Sequence, residues 1–122
     1  MSYSLIAENS YEFANRIVKL EKYLRTQKSE YIISKQIFRC GTSIGANAAE
    51  AVYAQSDADF VSKHYIALKE ANETRYWLRL LHDNQYLDDK MFDSLLDDVN
   101  SIISILISII NTKKENMEKS KE

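Results

Sequence analysis

The sequence predicts an all-α protein, an antiparallel up-down-up-down four-helix bundle in one domain. Three observations lead there. The 122 residues contain no proline and two glycines, so the residues that punctuate turns and β-rich folds are nearly missing. Four segments carry apolar residues at the 3–4-residue spacing of an amphipathic helix. The connections between them are short and polar, which sets consecutive helices side by side in opposite directions. A chain of this length supplies one hydrophobic core and is too short for two ordinary domains.

The first helix is predicted over about 10–26, where Phe13, Ile17, Leu20 and Leu24 make one stripe. The second is predicted over about 30–54, with Ser29 as its cap and Ile33, Ile37, Ile44 and Ala48 or Ala51 as its stripe. The third covers about 57–82. It starts after Ser56, with Asp57 and Asp59 at the positive helix end, and continues through Phe60, His64, Ala67, Ala71, Leu78 and Leu81. The fourth covers about 88–112, with Leu95, Val99, Ile102, Leu106 and Ile109 in its main stripe. A second line, Ile103, Ile107 and Ile110, gives this helix more apolar surface than one core needs. It is expected to form an oligomer interface. The charged tail, 113–122, is expected to be flexible.

Both glycines lie in RCGTSIGANAAEA, residues 39–51. A phosphate loop would need a preceding strand and a Gly-Lys-Ser/Thr ending, and neither is present. Gly41, Gly45 and Ala49 are instead spaced by four, so they share one helix face and thin it for the close approach of another helix. Thr42, Ser43, Asn47 and Glu50 bring polar atoms to or beside that contact. Gly41, Thr42, Ser43, Gly45, Asn47 and Glu50 are therefore read as a helix-packing motif.

These residues, followed by ADFVSKHYIALKEANETRYWLRLL at 58–81, carry a resemblance. Gly41-Thr42-Ser43-Ile44-Gly45-Ala46-Asn47, Glu50-Ala51, Phe60, Ala67 to Ala71, Glu73-Thr74 and Tyr76-Trp77-Leu78 resemble the bacterial four-helix bundle proteins of the 23S ribosomal RNA intervening-sequence type. The likeness spans about residues 10–112. It implies a small bundle that assembles into a ring-like homopentamer. Some members of the family are encoded within insertions in 23S ribosomal RNA genes. A related accessory protein of diversity-generating retroelements binds nucleic acid and works with a reverse transcriptase.

Charge bears on that last property. The formal net charge is −2, unevenly distributed: +3 over residues 1–40, −6 over 41–99 and +1 over the remainder. The overall basic balance usual for nucleic-acid binding is absent. A local basic face remains on the first two helices: Arg16, Lys19, Lys22, Arg25, Lys35 and Arg39. RNA or another nucleic acid is the candidate partner for it.

The pattern offers little catalytic chemistry. A di-iron bundle needs Glu-x-x-His, but Val61 precedes His64 and Arg79 precedes His82 at that spacing. One cysteine and two histidines supply no zinc pattern, and neither a metal nor a cofactor is expected. Cys40 with His64 or His82 is a conceivable nucleophile and base, but a small core residue is the simpler reading. Glu50, Glu70 and Glu73 near Trp77 are the least favoured candidates for a small-molecule or enzymatic site. Arg39, Glu50, Glu70 and Glu73 are expected to form a buried polar network instead.

No secretory signal is visible at the N-terminus, and the longest apolar run, 102–110, is shorter than a membrane span. A lone Cys40 gives no internal disulfide. A soluble cytoplasmic protein with no membrane role is expected. The leading expectation is a non-enzymatic, self-associating scaffold or binding module.

Overall fold

The computed structural model describes residues 2–121. They form four helices: α1 (Ser2–Gln27), α2 (Ile33–Ala51), α3 (Asp57–Asp83) and α4 (Asp89–Lys121). No strand occurs among the described residues. Each helix packs against its neighbour in the chain, and α4 closes the circle against α1. Phe13, Ile17 and Leu24 of α1, Ile37 and Ile44 of α2, Leu78 and Leu81 of α3, and Ile102 and Leu106 of α4 meet in one core.

The ends of the helices depart from the sequence expectation for identifiable reasons. α1 begins well before residue 10. Ser10 lies inside the helix rather than at its start. It is buried there, its hydroxyl donating to the Ile6 carbonyl at 2.5 Å, and Ile6 extends the apolar stripe by two turns. α2 is shorter than expected, and Ser29 does not cap it. Ser29 occupies the left-handed region, with φ 53°, and turns the chain. The cap is the carboxylate of Glu30. It accepts from the amides of Ile32, Ile33 and Ser34 at 3.1, 3.0 and 2.7 Å. A negative group suits the first turn of a helix, and its burial there is offset by three amide donors. α3 starts as expected, with the Ser56 hydroxyl accepting from the Asp59 amide at 3.1 Å. The Asp88 carboxylate does the same for α4, accepting from the Met91 amide at 2.8 Å.

The charged tail continues α4 as helix as far as Lys121. Its first turn is anchored to α3. The Lys113 ammonium lies 3.0 Å from the Asp57 carboxylate and 5.0 Å above the Phe60 ring. Lys114 lies over the Tyr65 ring.

α4 turns most of the expected interface line inward. Ile103 and Ile110 are buried within this one chain, and of the second line only Ile107 is exposed, at 43%. The reason is that α4 packs between α1 and α3, so two neighbours cover a wide apolar face. By length and composition alone α4 is long and apolar enough to cross a membrane, contrary to the reading of its short apolar run. Leu95, Val99, Ile102, Ile103, Leu106, Ile109 and Ile110 are nevertheless all buried against the rest of the protein.

Candidate functional site

Two faces of α2 gather most of the residues singled out in the sequence. One faces α1. A Cβ built on Gly41 would stand 2.7 and 2.9 Å from the two γ-carbons of Ile17. One built on Gly45 would stand 3.2 Å from the Ser10 hydroxyl and 3.4 Å from its backbone carbon. Both glycines have ordinary helical φ, so no turn requires them. Their role is steric: the bare face lets Ile17 and Ser10 come close. α2 is continuous through both positions.

The neighbouring polar residues satisfy themselves rather than binding across this contact. The Thr42 hydroxyl donates to the Phe38 carbonyl at 2.7 Å, Ser43 to the Arg39 carbonyl at 2.7 Å, and the Asn47 amide to the Ser43 carbonyl at 2.9 Å. Each of these three donors is spent on the carbonyl one turn earlier in α2 and none is shared with α1.

The second face looks toward α3. The Arg39 guanidinium bridges Glu70, at 3.4 Å, and Glu73, with which it makes its closest ion pair. Glu73 also accepts from the Trp77 indole N–H at 3.0 Å. The expected network thus exists in part, but it is not buried: the Arg39 side chain is 52% exposed. Ion pairs in that setting contribute at most about 1 kcal/mol. Glu50 does not join it. It is exposed, and its partner is Lys63 at 3.5 Å. The three glutamates therefore do not converge on a common point. Glu70 and Glu73 already serve Arg39 and Trp77.

The basic face is also partly neutralised. Arg16 pairs with Asp98 at 2.5 Å and donates to the Ser94 hydroxyl at 3.0 Å. Arg25 pairs with Glu21 at 2.9 Å, which raises its pKa through that hydrogen bond and charge. With Arg39 engaged as well, only Lys19, Lys22 and Lys35 of the six expected cations stand exposed with no carboxylate partner among the described residues.

The remaining chemical groups are quiet. Cys40 is fully buried. The Thr74 hydroxyl donates to the Glu70 carbonyl at 2.7 Å and sits 3.2 Å from the Cys40 sulfur. Burial pushes the thiol pKa up to about 11, so it stays protonated and a poor nucleophile. Neither histidine contacts it. His82 Nε2 lies 2.7 Å from Asp89, and its ring stacks on Phe92 at 4.2 Å. His64 is buried, its Nδ1 donating to the Phe60 carbonyl at 2.8 Å. Burial lowers its pKa and keeps the ring neutral. Among the described residues no three His, Cys, Asp or Glu side chains are grouped to hold a metal.

The fold and these faces define a class: a small all-α, four-helix protein whose distinctive residues serve helix packing and surface ion pairs. Residues 4–108 match the family model described as 23S rRNA-intervening sequence protein. The chain belongs to that family. It is similar to the crystal structure of a protein of unknown function from the S23 ribosomal protein family of Bacteroides thetaiotaomicron VPI-5482. The two share 50% identity and a TM-score of 0.90, over 91% of this chain and 99% of that one. No curated protein matches.

Proposed function

We propose that this chain is a non-enzymatic scaffold or binding module that works as a homo-oligomer, a ring of five up-down-up-down bundles. The antiparallel arrangement is supported by the α1–α2 contacts. Gly41 meets Ile17 while Gly45, one turn further on, meets Ser10, further back. The observation that carries self-association is an uncovered apolar surface on α1 and α2. Tyr11 and Val18 lie two turns apart on α1, exposed at 70% and 46%, and Phe38 of α2 is exposed at 40%. Val52 and Tyr53 continue the exposed apolar residues past the end of α2. Exposed apolar side chains on two adjacent helices are the kind of surface that a protein contact covers. This face replaces the isoleucine line of α4 as the proposed interface. In a ring of five each copy uses two different patches, so this face would meet a complementary patch on the next copy.

Sedimentation velocity on single variants tests this. Phe38→Asp is expected to shift the protein toward monomer, because a charge would be buried without a partner. Ile107→Asp is expected to leave the assembly intact. The reverse outcome would return the interface to α4.

A second reading is nucleic-acid binding through Lys19, Lys22 and Lys35, the cations left without carboxylate partners. Assembly would multiply this small positive surface. Binding of this kind falls steeply with salt, so retardation of a ribosomal RNA fragment at low salt that vanishes with added salt would support it. No retardation at low salt would remove it.

A further inference from the structure

A cavity of about 540 Å³ opens at the end of the protein where the α2–α3 connection meets α1 and α4. Its wall is mainly apolar, formed by Ile6, Ala48, Ala51, Val52 and Phe60. Lys113 and Asp57, paired at 3.0 Å, form a polar edge. This volume lies in the usual range for small-molecule sites, and an apolar wall with few placed polar groups is their usual character.

The second observation is His64, which lines this cavity and is 2% exposed. Its Nδ1 faces the Phe60 carbonyl, an acceptor, so Nδ1 carries the proton. In the neutral ring Nε2 is then a bare acceptor. Among the described residues Nε2 has no hydrogen-bond partner. No side-chain nitrogen or oxygen sealed from solvent lacks one either. Nε2 is therefore not sealed, and the ring that carries it lines the cavity.

We propose that this cavity binds a small, mainly apolar molecule, an aromatic alcohol or an N–H heterocycle, whose single donor reaches His64 Nε2. Lys113 and Asp57 neutralise each other at the edge, so a charged ligand of either sign finds no free counter-charge there, and the rest of the wall is apolar. A neutral donor on an apolar frame satisfies both parts of the site.

The test uses the full chain with phenol and toluene, which share a ring and differ in the donor. Binding is followed by ligand-detected NMR and by the 15N shift of His64 Nε2. Phenol is expected to saturate at a concentration on the order of millimolar and to bind about 3–10-fold tighter than toluene, the discrimination of one hydrogen bond. It should also move the Nε2 resonance upfield, as donation to a bare imidazole nitrogen does. His64→Phe, which keeps the ring and removes the acceptor, is expected to equalise the two ligands. Gln55→Trp, placed at an exposed lining position outside the proposed interface, is expected to weaken both while the fold is retained. The proposal is overturned if neither ligand saturates, if the phenol preference survives His64→Phe, or if the Nε2 resonance stays in place at saturation. This outcome is independent of the oligomer: a monomer that binds phenol through His64 would refute the scaffold reading alone.

Discussion

Gly41→Ala puts the close contact of α1 and α2 under the most direct stress. Two effects oppose each other. Alanine in place of a mid-helix glycine favours the helix by about 1 kcal/mol. Against that, the new methyl would sit 2.7 and 2.9 Å from the γ-carbons of Ile17, distances at which something must move. Both carbons branch from the Ile17 Cβ, so they cannot swing aside as the tip of a long chain would. Overpacking of this kind costs about 1–3 kcal/mol. The steric effect wins, and a net loss of about 1–2 kcal/mol is expected. Gly45→Ala differs, because its methyl meets Ser10 at 3.2 Å or more, so small shifts suffice and the net change should be near zero. The decisive control is the background Ile17→Ala. There the obstruction is gone, and Gly41→Ala should stabilise by about 1 kcal/mol or more, through helix propensity and partial refilling of the void. The assay is urea unfolding followed by circular dichroism, read as a double-mutant cycle. If Gly41→Ala stabilises the wild-type background, the bare face has no steric purpose and the reasoning fails.

The other expectations concern single groups. Glu30→Ala leaves three amides at the start of α2 without their acceptor and should cost about 1–2 kcal/mol in the same unfolding assay; no change would mean that water replaces the carboxylate freely. Cys40, with its pKa near 11 and full burial, should react with a disulfide reagent at pH 8 orders of magnitude more slowly than the unfolded chain; fast labelling of the native protein would contradict its placement. His64 titrates lower in the folded protein than its ordinary 6.5, so the unfolded chain binds the extra proton first. Its contribution to stability is therefore full above about pH 6.5 and is lost as pH falls toward the folded value. The slope between pH 7 and 5.5, read from unfolding midpoints, should flatten in His64→Gln.

Much of the architecture was legible because it depends on periodicity. The stripes Phe13-Ile17-Leu20-Leu24 and Leu95-Val99-Ile102-Leu106 each name a helix and its inward face, and these residues are buried. Gly41 and Gly45 were legible for the same reason, since a spacing of four shares a face. The ends were harder. Glu30 replaces Ser29 as the cap of α2 because a carboxylate on a turn can reach three amides, a choice made by backbone geometry rather than residue type. Exposure was hardest of all. The isoleucines at 103 and 110 looked surplus on α4, but a helix wedged between two neighbours buries a wider arc than one stripe. The cations suffered similarly: Arg16 finds Asp98, 82 residues away, a pairing that no local pattern announces. The cavity beside His64 joins residues from all four helices and the α2–α3 connection, so only the assembled chain reveals it.

Self-association through α1 and α2 is the claim on which the functional reading stands. Native mass spectrometry of the intact chain at micromolar concentration tests it most directly. The account predicts one dominant species of five copies, lost when Phe38 becomes aspartate. A monomer in both samples would contradict it.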